Sequence, residues 1–442
     1  MPATSPRRRR IVITGLGLIS PLGNNKESLW EALSTGRSGV GPLESLPAGA
    51  LPIPFAGEAR QFTGGIEDFG PLDGEHKKLV RKGLKVMCRE CQMGVAAAQL
   101  ALADAGLGPG KSDPDRTGVV YGSDYMLTVP EEFTAGILEC MRENCRFEFS
   151  RWAPLGMGKM NPLWLLKYLP NMPASHIAIY NDLRGPNNSI TQREAAANLA
   201  VGEAYQVILR GHADRMVAGA TGTRIHPMKA VHAALAEELA TNGHDPAKAA
   251  RPFDLNRGGM VLGEGAGAVV IEELESARAR GATIYGEVVG AGSSAAADRN
   301  LTARRDVALI NAIRAALRQA ELEPSQVGHI QAHGVGTRTG DVEEARALGE
   351  VFGRHAERVP VTAPKSYFGN LGAGSGAVEL IAGALALVHG QLFPILNYET
   401  PDPDCRVAAV TTSGADPGES FLNLSVTPTG QASCLVVKRF RE

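Results

Sequence analysis

Two thiols at C-x-x-C spacing, Cys88 and Cys91, are the first residues in the sequence whose type and spacing allow metal chemistry. They lie in a stretch with helical character, and a structural zinc site needs a second ligand pair at similar spacing. Cys140 and Cys145 are too widely spaced to supply that pair. We therefore predict ordinary packing thiols. Six cysteines in 442 residues are also too few for a disulfide scaffold.

A carboxylate, Glu194, opens the first of two helical stretches that are unusually rich in alanine and glycine. The first stretch covers residues 194–209 and the second covers residues 377–388, and each follows a loop. Small side chains on several faces let neighbouring backbones approach closely, which suits helices buried between two sheets. Their positions in separate halves of the chain indicate an internal duplication.

Short β-branched runs alternate with helical stretches along the chain, a pattern typical of layered α/β architecture. The predicted strands are residues 11–14, 118–121, 215–218, 266–271 and 327–332, and the predicted helices are residues 26–34, 92–104, 194–209, 305–319 and 377–388. Residues 125–175, richer in aromatic residues, methionine and proline, are predicted to be an insertion that caps the first half. Such a cap is predicted to line a ligand pocket or a subunit interface, with plain packing as the alternative.

Composition excludes several classes of function. The hydrophobic fraction of 44% in 442 residues is enough for two domain cores or one large fused core. With 45 basic and 47 acidic residues the net charge is -2, so no overall field attracts nucleic acid or an anionic membrane. No apolar run reaches the roughly 18 residues that a membrane helix needs. We therefore expect no nucleic-acid partner, no membrane insertion and a cytoplasmic location.

A basic run from Arg7 to Arg10 lies near the N-terminus and is followed by apolar residues. Gly15, Gly17 and Pro21 interrupt the apolar stretch, and no small-residue cleavage site follows it. Residues 1–9 are therefore predicted to be a flexible basic tail that leads into the first strand.

The segment from Arg251 to Gly267, Arg-Pro-Phe-Asp-Leu-Asn-Arg-Gly-Gly-Met-Val-Leu-Gly-Glu-Gly-Ala-Gly, resembles the mid-chain signature of elongating β-ketoacyl-(acyl carrier protein) synthases. The opening run from Ile11, Ala332-His-Gly and Lys365-Ser are similar to that family too, so the resemblance extends from about residue 10 to the C-terminus. It implies an α/β thiolase fold with five α-β-α-β-α layers in two pseudo-repeated halves, here residues 10–260 and 261–442. It also implies a dimer, for which we predict contacts around residues 194–209 and 215–218.

The resemblance places Glu194 where this family keeps the cysteine that carries the growing acyl chain. In the family a Gly-Pro pair precedes that cysteine by nine residues, and here the pair is Gly185 and Pro186. A shift of one residue would put Arg193 or Ala195 at the position, and neither is a thiol.

Other family positions are partly retained. By resemblance, His333 matches the first active-site histidine, Lys365 matches the lysine of the family motif, and Asn370 replaces the second histidine. Thr337 matches one threonine that holds the phosphopantetheine arm, so the implied ligand is the phosphopantetheine thioester of acyl carrier protein, with no tightly bound cofactor. Two positions differ from the family: Val335 replaces the other threonine, and the segment Val426–Gln431 replaces the loop that carries a gating phenylalanine. Asp341 and Glu344 lie where an acidic pair follows the histidine loop.

Each of these residues also has a structural explanation. His333 would order its loop, and Lys365 would form a buried ion pair with Glu344 or a neighbour. Asn370 would cap the turn before the glycine-rich segment that follows it.

The replacement at position 194 changes the expected chemistry. Condensation needs a thiolate, and an acyl group on Glu194 would be a reactive anhydride. Decarboxylation of a malonyl thioester stays open, because His333 and Asn370 are both hydrogen-bond donors. The protonation state of Glu194 is left open, since burial raises a carboxyl pKa, a helix N-terminus lowers it, and Arg193 would lower it further by folding back.

Three functions follow from these substitutions. The first is a subunit of fatty-acid or polyketide biosynthesis that resembles a chain-length factor, does not become acylated and pairs with an active ketosynthase. The second is an enzyme that works without acylation, either a malonyl-carrier-protein decarboxylase or a catalyst with Glu194 as general base. The third is a synthase with an altered condensation mechanism. Acyl carrier protein is the expected partner in each case, with a homodimer or a heterodimer left open.

Overall fold

The computed structural model describes residues 9–47, 49–241 and 245–442. The strands are β1 Ile11–Ile19, β2 Gly41–Pro42, β3 Phe55–Ala56, β4 Thr117–Ser123, β5 Asn187–Thr191, β6 Arg215–Thr223, β7 Glu264–Glu273, β8 Gly286–Ala295, β9 His329–Gln331, β10 Val361–Thr362, β11 Ser420–Val426 and β12 Gln431–Lys438. The α-helices are α1 Lys26–Thr35, α2 Gly74–Gly83, α3 Arg89–Asp104, α4 Glu131–Cys140, α5 Met172–Asn181, α6 Ala196–Leu209, α7 Pro227–Ala236, α8 Leu274–Ala279, α9 Arg305–Ala320, α10 Arg338–Phe352, α11 Lys365–Phe368 and α12 Ser375–His389.

The order of the strands demonstrates the duplication. The first half has the order β5-β4-β6-β7-β1 and the second has the order β10-β9-β11-β12-β8, so equivalent strands occupy equivalent places. In both halves the first three strands are parallel and the last two are antiparallel to their neighbours. The halves join where β1 pairs with β8 over a short stretch. β7 belongs to the first half in this arrangement, so the halves divide after Glu273, later than residue 260.

The helices form three layers around the two half-sheets, as the thiolase fold requires. α3 packs on β1 and β7, and α9 packs on β8 and β12, on the outer faces. α6 contacts strands of both halves, and α12 packs beside it against β7 and β11. α6 and α12 are therefore the middle layer, which confirms the five-layered α-β-α-β-α prediction.

β1 continues beyond the predicted residues 11–14, and Gly17 lies inside it. A Cβ on Gly17 would lie 2.1 Å from the carbonyl oxygen of Ala97, in α3. This glycine therefore does not end the strand but lets the helix pack closely against it.

The second small-residue helix is the one stretch among the described residues with the length and composition of a membrane span. The stretch Gly372–His389 has a mean hydropathy of 1.3, and 89% of it is buried inside the protein. The prediction that no apolar run reaches this length was therefore wrong. The burial shows why the stretch is apolar, since α12 lies between the two half-sheets.

Residues 125–175, predicted to be an insertion, contain α4 followed by short 3₁₀ and π turns. Its aromatic side chains pack on one another, for example Phe133 on Trp164 with ring centroids 5.4 Å apart. Much of its apolar surface is nevertheless exposed. The exposed residues are Ile137, Leu138, Phe147, Phe149, Leu155, Met157, Leu163, Leu165 and Leu166.

The structure corrects two further predictions. Residues 1–8 lie outside the described residues, but Arg9 is held in place, because its Nη1 donates to Asp214 Oδ1 at 3.1 Å. The predicted dimer contact at residues 215–218 is wrong, since β6 lies between β4 and β7 and is almost entirely buried.

The two cysteines at C-x-x-C spacing are packing thiols. Cys91 packs in the hydrophobic core of the first half, and Cys88 Sγ lies 3.9 Å from Met126 Sδ.

Candidate functional site

Glu194 sits on a sharp turn between β5 and α6. Arg193, immediately before it, has a φ of 46°, a left-handed conformation that costs a non-glycine residue roughly 1–3 kcal/mol. A 3₁₀ turn over Arg193–Ala195 then leads into α6, and Ser433 Oγ fixes this turn by donating to the Ala195 carbonyl at 3.1 Å. The turn places the Glu194 side chain at the helix N-terminus, where it is 1% exposed.

Two arginines hold the Glu194 carboxylate. Arg224 Nη1 donates to Glu194 Oε1 at 3.1 Å, and Arg193 Nε lies 3.5 Å from Glu194 Oε2. Both arginines also reach Glu237, with Arg193 Nη2 at 2.8 Å from its Oε1. Arg193 therefore does fold back, and the four side chains form an ion-pair network in which Glu194 and Arg224 are buried and Arg193 and Glu237 are partly exposed.

This network decides the protonation state that the sequence left open. Burial raises the pKa of Glu194, but the positive charges of Arg193 and Arg224 outweigh it and lower the pKa to about 2. The side chain is therefore an ionised carboxylate at neutral pH.

His333 lies on a loop that two buried acidic groups support. Glu344 accepts hydrogen bonds from the backbone N–H groups of His333 and Gly334 at 2.7 and 2.8 Å. Asp341 accepts from the Gly336 N–H at 3.0 Å. The acidic pair thus shapes the histidine loop.

Lys365 fixes the tautomer of His333. Its Nζ donates to the His333 carbonyl at 2.8 Å and lies 3.3 Å from His333 Nδ1. An ammonium group has only donors, so Nδ1 accepts and the ring proton is on Nε2. Burial and the charge of Lys365 lower the pKa of His333 well below its ordinary value, which keeps the ring neutral. The ion-pair partner of Lys365 is Glu379 of α12, rather than Glu344.

Both ends of the Asn370 side-chain amide make hydrogen bonds. Its Oδ1 accepts from the Gly372 N–H at 2.9 Å and from Ser375 Oγ at 3.2 Å, so it does cap the turn before α12. Its Nδ2 donates to Glu194 Oε1 at 3.2 Å and lies 2.9 Å from Met260 Sδ. The Asn370 donor is therefore directed at the carboxylate.

A cavity of about 160 Å³ brings four of the five predicted site residues together. Glu194, His333 and Asn370 line it together with Thr337, the N-cap of α10, whose Oγ1 accepts from the Gly340 N–H at 3.2 Å. Lys365 lies behind His333, outside the lining. Val426, Thr427 and Pro428 of the altered C-terminal loop form another wall.

Comparison with known proteins identifies the family. Residues 8–277 match the family described as "Beta-ketoacyl synthase, N-terminal domain", and residues 285–399 match "Beta-ketoacyl synthase, C-terminal domain". The chain belongs to the β-ketoacyl synthase family. A 3-oxoacyl-[acyl-carrier-protein] synthase 2 from a Synechocystis strain is 34% identical over 414 residues, which are 93% of this chain and 92% of that protein. A synthase of the same name from Staphylococcus aureus is 32% identical over 436 residues, covering 98% of this chain and 99% of the relative.

Solved β-ketoacyl synthase structures share the fold over nearly the whole chain. A β-ketoacyl synthase from Burkholderia phymatum has a TM-score of 0.83 at 28% identity and covers 98% of this chain and 100% of its own. The ishigamide ketosynthase/chain length factor has a TM-score of 0.81 at 29% identity, with the same coverage. The ketosynthase of a type II polyketide system, solved in complex with its acyl-carrier protein, has a TM-score of 0.82 at 27% identity, again with that coverage.

Sequence reasoning missed Arg224 and Glu237. A buried carboxylate requires a positive partner, so burial of Glu194 would have implied a cation nearby. The sequence carries 45 lysine and arginine residues and does not say which one folds onto the site. Arg224 follows the end of β6, and only the order of the strands brings that end to the turn that carries Glu194.

Proposed function

We propose that this β-ketoacyl synthase family member is a subunit resembling a chain-length factor, which does not become acylated and pairs with an active ketosynthase in fatty-acid or polyketide biosynthesis. The observation that carries the proposal is the ionised Glu194 carboxylate, held by Arg193 and Arg224 at the position predicted for the nucleophile. Acyl transfer to this group would form an anhydride and would remove the negative charge from between two arginines. Breaking a buried ion pair costs about 3–5 kcal/mol.

The same geometry disfavours decarboxylation. The two N–H groups of Asn370 Nδ2 are directed at Glu194 Oε1 and Met260 Sδ, which leaves His333 as the one predicted donor free to face a thioester oxygen. An ionised Glu194 would also repel a malonyl carboxylate by about 1–4 kcal/mol at 4 Å. A general base with a pKa of about 2 is far from the value near 7 that suits proton abstraction at neutral pH.

Pairing with another chain is supported by an open sheet edge. At one end of the strand order, β10 is covered by a neighbouring segment, since the Val361 N–H donates to Ala408 O and the Val410 N–H to Val361 O, both at 2.9 Å. At the other end, β5 pairs with β4 on one side, and none of the described residues pairs with its outer side. Asn187, Asn188 and Thr191 on this strand are exposed. An open edge is a template for a strand from another chain.

The exposed apolar residues of the insertion strengthen this choice of surface. The insertion lies close to β5, because Ser189 Oγ donates to the Pro170 carbonyl at 3.2 Å. None of residues 125–175 lines the cavity at Glu194. Exposed apolar patches on a soluble protein typically mark interaction surfaces, so the insertion is proposed to contact the partner rather than an acyl chain. The ishigamide ketosynthase/chain length factor is a named precedent for such a pair.

Acyl transfer is tested by intact-mass spectrometry after incubation with acyl-(acyl carrier protein). We expect no adduct on Glu194, because the carboxylate is charged and held. A stable adduct mapped to the peptide that contains Glu194 would overturn the proposal.

The pairing surface is tested by light scattering of the purified protein mixed with candidate ketosynthases. Asn188→Lys puts a charge on the β5 edge, where Glu203 can pair with it, since Asn188 Nδ2 already lies 2.8 Å from Glu203 Oε1. We expect this variant to lose the partner while it stays folded. Asn300→Lys, on an exposed loop, is the matched control and should keep the partner. Equal loss in both variants, or in neither, would contradict the β5 surface.

A further inference from the structure

A buried carboxyl group behind Glu194 is left without an ion pair among the described residues. Asp124, directly after β4, is 0% exposed. Its Oδ1 accepts from the Tyr125 N–H at 2.8 Å, and its Oδ2 has no hydrogen-bond partner within the described part of the chain. An ionised carboxylate in this position would destabilise the folded protein, because a buried charge without a partner loses its hydration and gains no ion pair in return.

The charges around Asp124 do not balance. Four carboxyl groups face three basic groups in this cluster, which consists of Glu90, Asp124, Glu194, Glu237, Arg193, Arg224 and Lys229. The three basic groups already have partners, since Glu194 pairs with Arg224, Glu237 pairs with Arg193, and Glu90 Oε2 lies 2.8 Å from Lys229 Nζ. Asp124 is the carboxyl left over.

The groups that act on Asp124 come from four elements. Lys229 belongs to α7, Arg193 and Glu194 to the turn before α6, and Arg224 follows β6. Burial raises the pKa of Glu90, in α3, to about 7, Lys229 opposes this effect and the charge of Asp124 adds to it. Unlike Asp124, Glu90 has an ion-pair partner in Lys229. Burial raises the pKa of Asp124, the negative charge of Glu194 adds to that effect, and the three basic groups oppose it.

We infer that Asp124 carries a proton at neutral pH, that the negative charge of Glu194 holds the proton there, and that losing this charge releases it. With Glu194 neutral, three carboxylates would face three cations and Asp124 could ionise in a balanced cluster. A ligand that displaces the Glu194 carboxylate from the arginines would therefore be accompanied by proton release beneath the cavity. The inference rests on the ionised Glu194 of the proposed function and is independent of pairing with a ketosynthase.

Stability against pH provides the first test. A carboxyl whose folded pKa lies above its unfolded value of about 3.9 stabilises the protein most at low pH, and this stabilisation is lost as pH rises towards the folded pKa. Asp124→Asn resembles the protonated acid and does not titrate. We expect the ratio of the folding equilibrium constants, Asp124→Asn over wild type, to rise about tenfold per pH unit between pH 5 and 7. A ratio that does not change over this range would show that Asp124 is ionised in the folded protein and would overturn the inference.

Infrared spectroscopy of the protonated carboxyl C=O stretch gives a second test that does not depend on Asp124→Asn folding. Burial also raises the pKa of four other carboxyls, Glu90, Asp341, Glu344 and Glu379, so difference spectra between variants assign the band. At pH 7 we expect wild type to show a band that Glu90→Gln keeps and that Glu194→Gln loses. Loss of the band in Glu90→Gln would place the proton on Glu90, and its persistence in Glu194→Gln would refute the coupling; either result overturns the inference.

Discussion

Replacing Glu194 with glutamine keeps the shape of the side chain and removes the charge that Arg193 and Arg224 bind. Lowering a carboxyl pKa from about 4.3 in the unfolded chain to about 2 in the folded protein corresponds to about 3 kcal/mol of stability. This stabilisation is present above the unfolded pKa and is lost as pH falls from about 5 to about 2. We therefore expect Glu194→Gln to lower the free energy of unfolding by up to about 3 kcal/mol at pH 7. Ionisation of Asp124 in the variant would offset part of this loss.

The assay is urea denaturation at a series of pH values from 7 to 2.5 for wild type and Glu194→Gln. The two unfolding free energies should converge as pH falls, because wild type loses the contribution of the carboxylate while the amide does not titrate. Glu75→Gln is the matched control, since Glu75 is exposed in the first turn of α2 and its replacement should change stability little.

A stability difference that stays constant from pH 7 to pH 2.5 would refute this reasoning. It would mean that Glu194 is protonated in the folded protein at neutral pH, so the two arginines would not hold a negative charge on the turn before α6. The carboxyl would then be a hydrogen-bond donor, and it would no longer repel a malonyl carboxylate in the cavity.

Three further predictions follow from the same contacts. Lys365→Met leaves Glu379 buried without its partner, so urea denaturation should show a loss of about 3–5 kcal/mol; the double variant Lys365→Met/Glu379→Gln should recover much of it, and no recovery would contradict the pair. Release of carbon dioxide from malonyl-(acyl carrier protein) should be no faster for wild type than for His333→Ala, whereas a clearly faster wild type would revive decarboxylation. Glu194→Cys should carry a thiol with a pKa below the ordinary 8.5 or so, because it replaces an anion between two arginines. Its alkylation by iodoacetamide should therefore plateau at lower pH than that of the exposed Cys145, and an equal or higher plateau would contradict the electrostatics.

The sequence predicted the positions of the main helices more accurately than it predicted the contacts within the site. The helices that begin at Lys26, Arg305 and Ser375 start within two residues of their predicted positions, because apolar periodicity marks helices that pack on sheets. Within the large sheet, β5, β8, β10, β11 and β12 were missed. β5 and β10 are short edge strands, which carry little hydrophobic alternation. The dimer contact was misplaced for a related reason, as residues 215–218 look the same in sequence whether β6 is an edge or an interior strand.

The residues of the site were located by motif spacing, but their interactions were not. Spacing from Gly185 correctly placed Glu194 on the turn before α6. It gave no information on Arg224, which comes from another strand end, or on Glu379, which pairs with Lys365 where Glu344 or a neighbour was expected. Ion pairs between elements depend on three-dimensional packing, and local sequence patterns carry no signal for them.

The duplication explains how residues 176 positions apart come to share one hydrogen bond, from Asn370 Nδ2 to Glu194 Oε1. α6 and α12 are equivalent helices of the two halves, and both lie in the middle layer. Glu194 belongs to the turn before α6, and Asn370 caps the turn before α12, so the start of each helix contributes one side chain to the cavity. A helix N-terminus carries partial positive charge that stabilises an anion. A carboxylate is therefore better tolerated here than at most buried positions, because two helix N-termini and two arginines converge on it.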